Sequence, residues 1–176
     1  MKFTPTPLQG AYLVELERIE DSRGFFARSW CREEFGARGL NGNISQINVG
    51  FSGRKGTLRG MHYQVEPHAE VKVVGCTRGA IHDVIVDLRP ESPTYRRWFA
   101  AELSAGNRRM LYIPERCAHG YLTLADDAEI YYLASTRYAP ESARGVRYDD
   151  PAFGIEWPGP ITTISEKDAH WPDFLP

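Results

Sequence analysis

The densest chemistry in the sequence lies in Thr57-Leu58-Arg59-Gly60-Met61-His62-Tyr63-Gln64, where a cation, a possible base and an amide fall within six residues. Imidazole titrates nearest to neutrality, so His62 is suited to moving a proton at pH 7, although a histidine of this kind is also often a satisfied core residue. If the segment is a strand, alternation puts Arg59 and His62 on opposite faces. Both reach one cavity only if the strand is re-phased, and Gly60 is the position where a bulge would do it. Lys72 interrupts the apolar run Val71-Lys72-Val73-Val74. It either faces solvent or is held in a cavity for an anionic ligand, because burying it unpaired is costly. Tyr131, Tyr132 and Tyr138 cluster further on, and alternation separates Tyr131 from Tyr132 while placing Tyr132 and Tyr138 on one face. Such tyrosines are packing residues, or they line a cavity and supply a proton. Asp83 and Asp87 share a face of a later segment, where Asp87 and Arg89 are read as ordering the turn before Pro90 and Asp83 as structural too. Ser165-Glu166-Lys167-Asp168 reads as a helix start approximating a capping box, which by spacing alone accounts for Asp168.

The elements that must position these residues are mostly strands. Short β-favouring runs separated by Gly, Pro, Asn and Asp fall at 12–16, 25–30, 46–51, 58–64, 71–77, 80–88, 98–103, 110–113, 121–124 and 130–135. Short strands at this spacing indicate a sandwich or barrel. The run 80–88 alternates best, with His82, Val84, Val86 and Leu88 on one face and Ile81, Asp83, Ile85 and Asp87 on the other. Both faces carry apolar residues, so it is expected to be covered on both sides. Helical signal is confined to 31–37, after Ser29, and to a short helix from Ser165. The expectation is one all-β domain over 1–176 with short flanking helices.

Composition narrows the function. With 21 basic and 23 acidic residues the net charge is −2, which gives no reason to expect nucleic-acid or membrane partners. Any phosphate site must come from a few converging Arg or Lys. The segment MKFTPTPLQG does not read as a signal peptide, and no stretch approaches the roughly 20 apolar residues of a membrane span. Cys31, Cys76 and Cys117 are odd in number and widely spaced, which suits a reducing cytoplasm rather than a disulfide framework. A metal site is not expected. Metal-binding cupin barrels pair a His-x-His element and a Glu with a later Pro-x-Gly-x-x-His. Here Pro114 and His119 keep part of the second element, but His62 is followed by Tyr63 and Gln64.

Taken in order, several segments together resemble the dTDP-4-dehydrorhamnose 3,5-epimerase family. They are Asp21-Ser22-Arg23-Gly24-Phe25-Phe26, Gln46-Ile47-Asn48, Leu58 through Gln64, Lys72, Asp83 through Arg89, Ser92-Pro93-Thr94, Ala118-His119-Gly120, Asp149-Asp150-Pro151, Ile155-Glu156-Trp157-Pro158 and Ser165 through Asp168. The resemblance implies a cupin-like jelly-roll β-barrel and a nucleotide-linked 4-keto-6-deoxyhexose substrate, with no metal and no other cofactor. It implies His62 as the base, paired with Asp168, Lys72 as the stabiliser of the enolate oxygen, and Tyr132 as the acid. Arg23 and Arg59 would hold the diphosphate, with Arg23 supplied by the neighbouring subunit of a homodimer. Gln46 and Asn48 would face the nucleotide base, Tyr138 would line the cleft and His119 its floor, and Phe26 and Lys167 would add substrate contacts. The sequence departs from the family pattern at Arg28, at Gly50 and at Arg116-Cys117. Related readings are inversion at C3 alone, a different nucleotide, or a sugar-binding cupin without catalysis; the presence of both a base and an acid argues against the last.

Overall fold

The computed structural model describes residues 1–175. In chain order the elements are β1 (Lys2–Pro5), β2 (Tyr12–Glu15), β3 (Ile19–Asp21), β4 (Gly24–Phe26), α1 (Arg32–Gly36), β5 (Gln46–Ser52), β6 (Leu58–Gln64) and β7 (Lys72–Arg78). They continue with β8 (Ala80–Asp87), β9 (Trp98–Ser104), β10 (Met110–Ile113), β11 (Cys117–Thr123), β12 (Ala128–Ala134), β13 (Ala143–Gly145) and α2 (Glu166–Ala169). Among the described residues the strands form a six-stranded sheet ordered β1-β2-β10-β7-β12-β5 and a five-stranded sheet ordered β13-β6-β11-β8-β9. This is the cupin-like jelly roll. No helix among the described residues is long and apolar enough to cross a membrane.

Period-two alternation explains which side chains enter the barrel. Val74 and Cys76 of β7, Leu111 and Ile113 of β10, and Ile130 of β12 meet Ile81 and Ile85 of β8, Leu103 of β9 and Tyr121 of β11 in the core between the sheets. The outer face of the five-stranded sheet is also closed. Met61, Val84, Val86 and Ala118 lie under Val146 and Phe153, with Ile155, Trp157 and Phe174 packed beside them. Strand β8 is therefore covered on both sides, as its two half-apolar faces require. The six-stranded sheet is capped by the α1 region, where Phe35 packs on Val14, Val73, Met110 and Tyr112.

The strands differ from the sequence-based expectation in several places. The strand expected over 25–30 ends at Phe26, and Gly24–Phe26 pairs only with Ile19–Asp21 in a separate hairpin. Asp21 sets the turn by accepting from the Arg23 backbone N–H at 2.8 Å. Strands β1, β3 and β13 lie outside the expected runs, and β11 begins at Cys117 rather than at residue 121. Strands as short as β1, β3 and β13 carry too little alternation to be seen without their partners.

Asp87 does order the turn before Pro90. Its carboxylate is fully buried and accepts from Arg89 Nε at 2.8 Å, Ser92 Oγ at 2.5 Å and Thr94 Oγ1 at 2.6 Å. Burial opposes its charge, but these donors outweigh it and hold the carboxyl at about 2. A carboxyl lowered on folding contributes stability above its unfolded value near about 4, and that contribution is lost as pH falls towards about 2. Asp87→Asn is expected to lower unfolding free energy at pH 7 by about 3–5 kcal/mol, because Arg89 is left without its charge partner. Urea unfolding at pH 7 and at acid pH checks this: the gap between wild type and variant should narrow as pH falls.

Candidate active site

The site opens at the irregularity in β6. His62 is opposite His119 and Arg59 is opposite Tyr121, so three steps along β6 match two along β11. That extra residue is a bulge. Gly60 sits there with φ +135°, and a Cβ on it would lie 2.4 Å from the Gly120 Cα. Only glycine fits, and the re-phasing brings Arg59 and His62 onto one cavity of about 520 Å³.

Asp168 arrives from the far end of the chain. Strand β6 is joined to the C-terminal segment by Leu58 N–H donating to the Thr163 carbonyl at 2.8 Å. Ser165 then caps α2, its Oγ accepting from the Asp168 N–H at 3.1 Å. The cap uses only the backbone of Asp168 and leaves its side chain free. Asp168 Oδ1 lies 2.6 Å from His62 Nε2, and Oδ2 accepts from the Gly60 N–H at 3.3 Å. Burial disfavours the Asp168 carboxylate, but His62, the Gly60 amide and Ser165 outweigh this and hold the carboxyl below its usual range. An ionised carboxylate only accepts, so Nε2 carries the imidazole proton and Nδ1 is the basic nitrogen. The His62 side chain stays 44% exposed against 8% for Asp168, so the pair has a buried end and an open end.

The opposite sheet supplies the facing wall. Lys72 at the start of β7 and Tyr132 in β12 line the large cavity together with His62 and His119. The same three residues, His62, Lys72 and Tyr132, also line an adjoining cavity of about 180 Å³. Lys72 is thus held at the cavity and not in solvent: its Nζ pairs with Glu70 Oε1 at 3.0 Å. Burial, then the charges of Glu70 and Tyr138, raise the Tyr132 hydroxyl above its ordinary value near about 10, so it is protonated at neutral pH. His119 forms part of the large cavity's wall and is fixed from behind, Nε2 to Asp83 Oδ1 at 2.7 Å. Among the described residues no three His, Cys, Asp or Glu side chains converge as metal ligands do, and each of these two histidines is engaged by a carboxylate.

A proton-accepting imidazole on one sheet, facing an ammonium and a phenol on the other, is the equipment for exchanging a carbon-bound proton. The family model described as dTDP-4-dehydrorhamnose 3,5-epimerase matches residues 5–175. The chain belongs to this family. Its relative in Sinorhizobium fredii, a dTDP-4-dehydrorhamnose 3,5-epimerase, is 40% identical over 175 residues, covering 99% of this chain and 90% of the relative. The crystal structure of the Elizabethkingia anophelis epimerase superposes with TM-score 0.96 at 38% identity, covering 99% and 96% of the two chains. The Bacillus anthracis epimerase, solved with TDP and PPi bound, gives 0.93 at 36% identity over 98% and 99%. The protein is accordingly an isomerase, a carbohydrate epimerase of 4-keto-6-deoxy nucleotide sugars.

Within the epimerase, Gln46, Asn48, Tyr138 and Lys167 all reach the smaller cavity. Gln46 Oε1 accepts from the Tyr138 N–H at 2.7 Å, which ties the base of that lobe together. Arg59, on the rim of the large cavity, donates to the Phe51 carbonyl at 2.9 Å and to Ser52 Oγ at 3.1 Å. Arg23 and Phe26 do not line either lobe of their own chain. They sit on the exposed β3–β4 hairpin, with Arg23 bonded to Asp21 and Phe26 70% exposed. Asp83, read as structural, is fully buried and is the partner that fixes His119. Alternation carried that signal: Asp83 shares the inward face with Ile81 and Ile85, and a carboxylate there needs a partner. Glu70, Tyr63 and Arg144 of the smaller lobe were not anticipated.

Proposed function

We propose that this enzyme inverts C3 and C5 of a dTDP-linked 4-keto-6-deoxyhexose by two-base proton transfer across the barrel. The C4 ketone acidifies the neighbouring C–H bonds, and His62 Nδ1 takes the proton. The electrons move onto the ketone oxygen, giving an enolate that Lys72 meets with a positive charge, the kind of stabilisation that carries much of such catalysis. Tyr132 then delivers a proton to the same carbon from the other face, which inverts it. Asp168 orients His62 and supports the imidazolium while it exists. The observation that supports this reading most is the placement of the His62–Asp168 pair and of Tyr132 with Lys72 on opposite sheets around one cavity. Arg59, with Lys167, suits the diphosphate; Gln46, Asn48 and Tyr138 suit the nucleotide base at the smaller lobe, and His119 the floor beneath the sugar. The three free cysteines suit action in the cytoplasm.

The working unit in this proposal is a homodimer. Strand β5 is a sheet edge whose outward side chains Ile47, Val49 and Phe51 are 65%, 68% and 49% exposed, and the β3–β4 hairpin exposes Ile19 and Phe26 at 70% each. Apolar edges of this size are normally covered, and a second copy covers them symmetrically. The hairpin then carries Arg23 and Phe26 to the neighbouring cleft. The test is complementation on dTDP-4-dehydro-6-deoxyglucose. Wild type is expected to epimerise it, and Arg23→Glu and His62→Asn proteins to fail singly. Once subunits exchange, half the dimers are hybrids with one complete site, so an equimolar mixture should regain about a quarter of wild-type activity. Wild type that leaves this compound unchanged, or a mixture that stays inactive, would overturn the proposal.

A further inference from the structure

The smaller lobe contains a carboxylate that the scheme above does not use. Glu70 lies between β6 and β7, two residues before Lys72. Its side chain is 10% exposed and its Oε1 is 3.0 Å from Lys72 Nζ, itself 12% exposed. Replacing such a pair by well-packed apolar side chains is often neutral or stabilising, so stability gives little reason for the pair. Its location is specific: Lys72 lines both lobes, and Glu70 lines the smaller one beside Tyr132.

We propose that Glu70 is a positioning residue for epimerisation, fixing the Lys72 ammonium at the junction of the two lobes and placing a permanent negative charge beside Tyr132. The inference rests on the roles given above to Lys72 and Tyr132. A lysine ammonium ends a flexible four-carbon stem and has no orientation of its own. Anchored, it meets the developing enolate oxygen without reorganising, which is where electrostatic catalysis gains most. Burial is the main thing that opposes ionisation of the Tyr132 hydroxyl, and the same negative charge adds to it, with Tyr138. The other ionisable groups sharing that lobe are His62 with its Asp168 partner, Tyr63, Arg144 and Lys167, on β6, α2 and β13 or beside them. They are unchanged in a Glu70 variant, so a shift reports Glu70.

The experiment compares Glu70→Gln and Glu70→Asp with wild type as full-length protein, each shown to be folded by thermal unfolding. In Glu70→Gln, kcat should fall on the order of tenfold, the scale of one charge-assisted contact, with KM changed much less. Its alkaline limb should move to lower pH, because loss of the negative charge eases Tyr132 ionisation. Glu70→Asp keeps the charge but shortens the arm, so it should keep the wild-type limb while kcat still falls. Wild-type kcat with an unmoved limb in Glu70→Gln would overturn the inference. If Glu70→Gln does not fold, wild-type kcat in Glu70→Asp would do so. Lys72→Ala and Tyr132→Phe run alongside separate the two failures. If these epimerise normally, the roles of Lys72 and Tyr132 are wrong; if they are impaired and the Glu70 variants are not, only the role of Glu70 is wrong.

Discussion

A His62→Asn enzyme is expected to lose both inversion and solvent exchange at C3 and C5, by about 10²–10⁴-fold or more. His62 is the only group in the scheme that breaks a C–H bond, so every later event depends on it. Asparagine is the informative replacement. Its amide can still donate to Asp168, whose side chain is only 8% exposed and would otherwise be left as an unpaired buried charge. The cavity shape is kept and KM should change little, because the lost interaction belongs to the transition state. Steady-state rates and loss of substrate proton signals in D₂O measure the two activities separately. A folded His62→Asn enzyme that exchanges protons at the wild-type rate would assign the base elsewhere, with His119, held by Asp83 on the cavity wall, the first place to look.

Tyr132→Phe is expected to behave differently. Removing the hydroxyl leaves His62, Asp168 and Lys72 in place, so the enolate still forms. Without a donor on the opposite face, reprotonation comes from His62 on the face it took the proton from. Exchange should therefore survive at one carbon or both, while inversion falls by about 10²–10⁴-fold. The variant also isolates the acid from its surroundings: burial and Glu70 hold the Tyr132 proton, and phenylalanine retains the packing without it. Chiral analysis of recovered substrate and product, with proton NMR for deuterium content, checks the prediction. Equal loss of exchange and inversion in a folded Tyr132→Phe enzyme would contradict it.

What the sequence could show of this site depended on how local each signal was. Alternation along β7, β8 and β12 is local, and it placed Tyr132 apart from Tyr131 and the two faces of β8 correctly. The bulge was legible because Arg59 and His62 have the wrong parity for one cavity and a glycine lies between them, which the β6–β11 register confirms. Lys72 was ambiguous because its partner Glu70 belongs to a loop, where periodicity says nothing about direction. Asp168 was explained by a helix cap, which the structure retains; the His62 contact spans 106 positions and leaves no local trace. Asp83 and Asp87 share a face by alternation but meet different partners: Asp87 bonds Arg89 in the turn, whereas Asp83 bonds His119 on β11, a pairing that spacing along β8 does not show. The β3–β4 hairpin lacks a covered face in its own chain, so its exposed Phe26 and Ile19 had no alternation to betray its short span.

The measurement that bears most directly on the account is a proton NMR time course in D₂O of wild type, His62→Asn and Tyr132→Phe on one 4-keto-6-deoxyhexose nucleotide, following deuterium at C3 and C5 together with configuration. Wild type is expected to show exchange with inversion, His62→Asn neither, and Tyr132→Phe exchange without inversion. Exchange persisting in folded His62→Asn, or inversion persisting at the wild-type rate in Tyr132→Phe, would contradict proton transfer between the two sheets of the barrel.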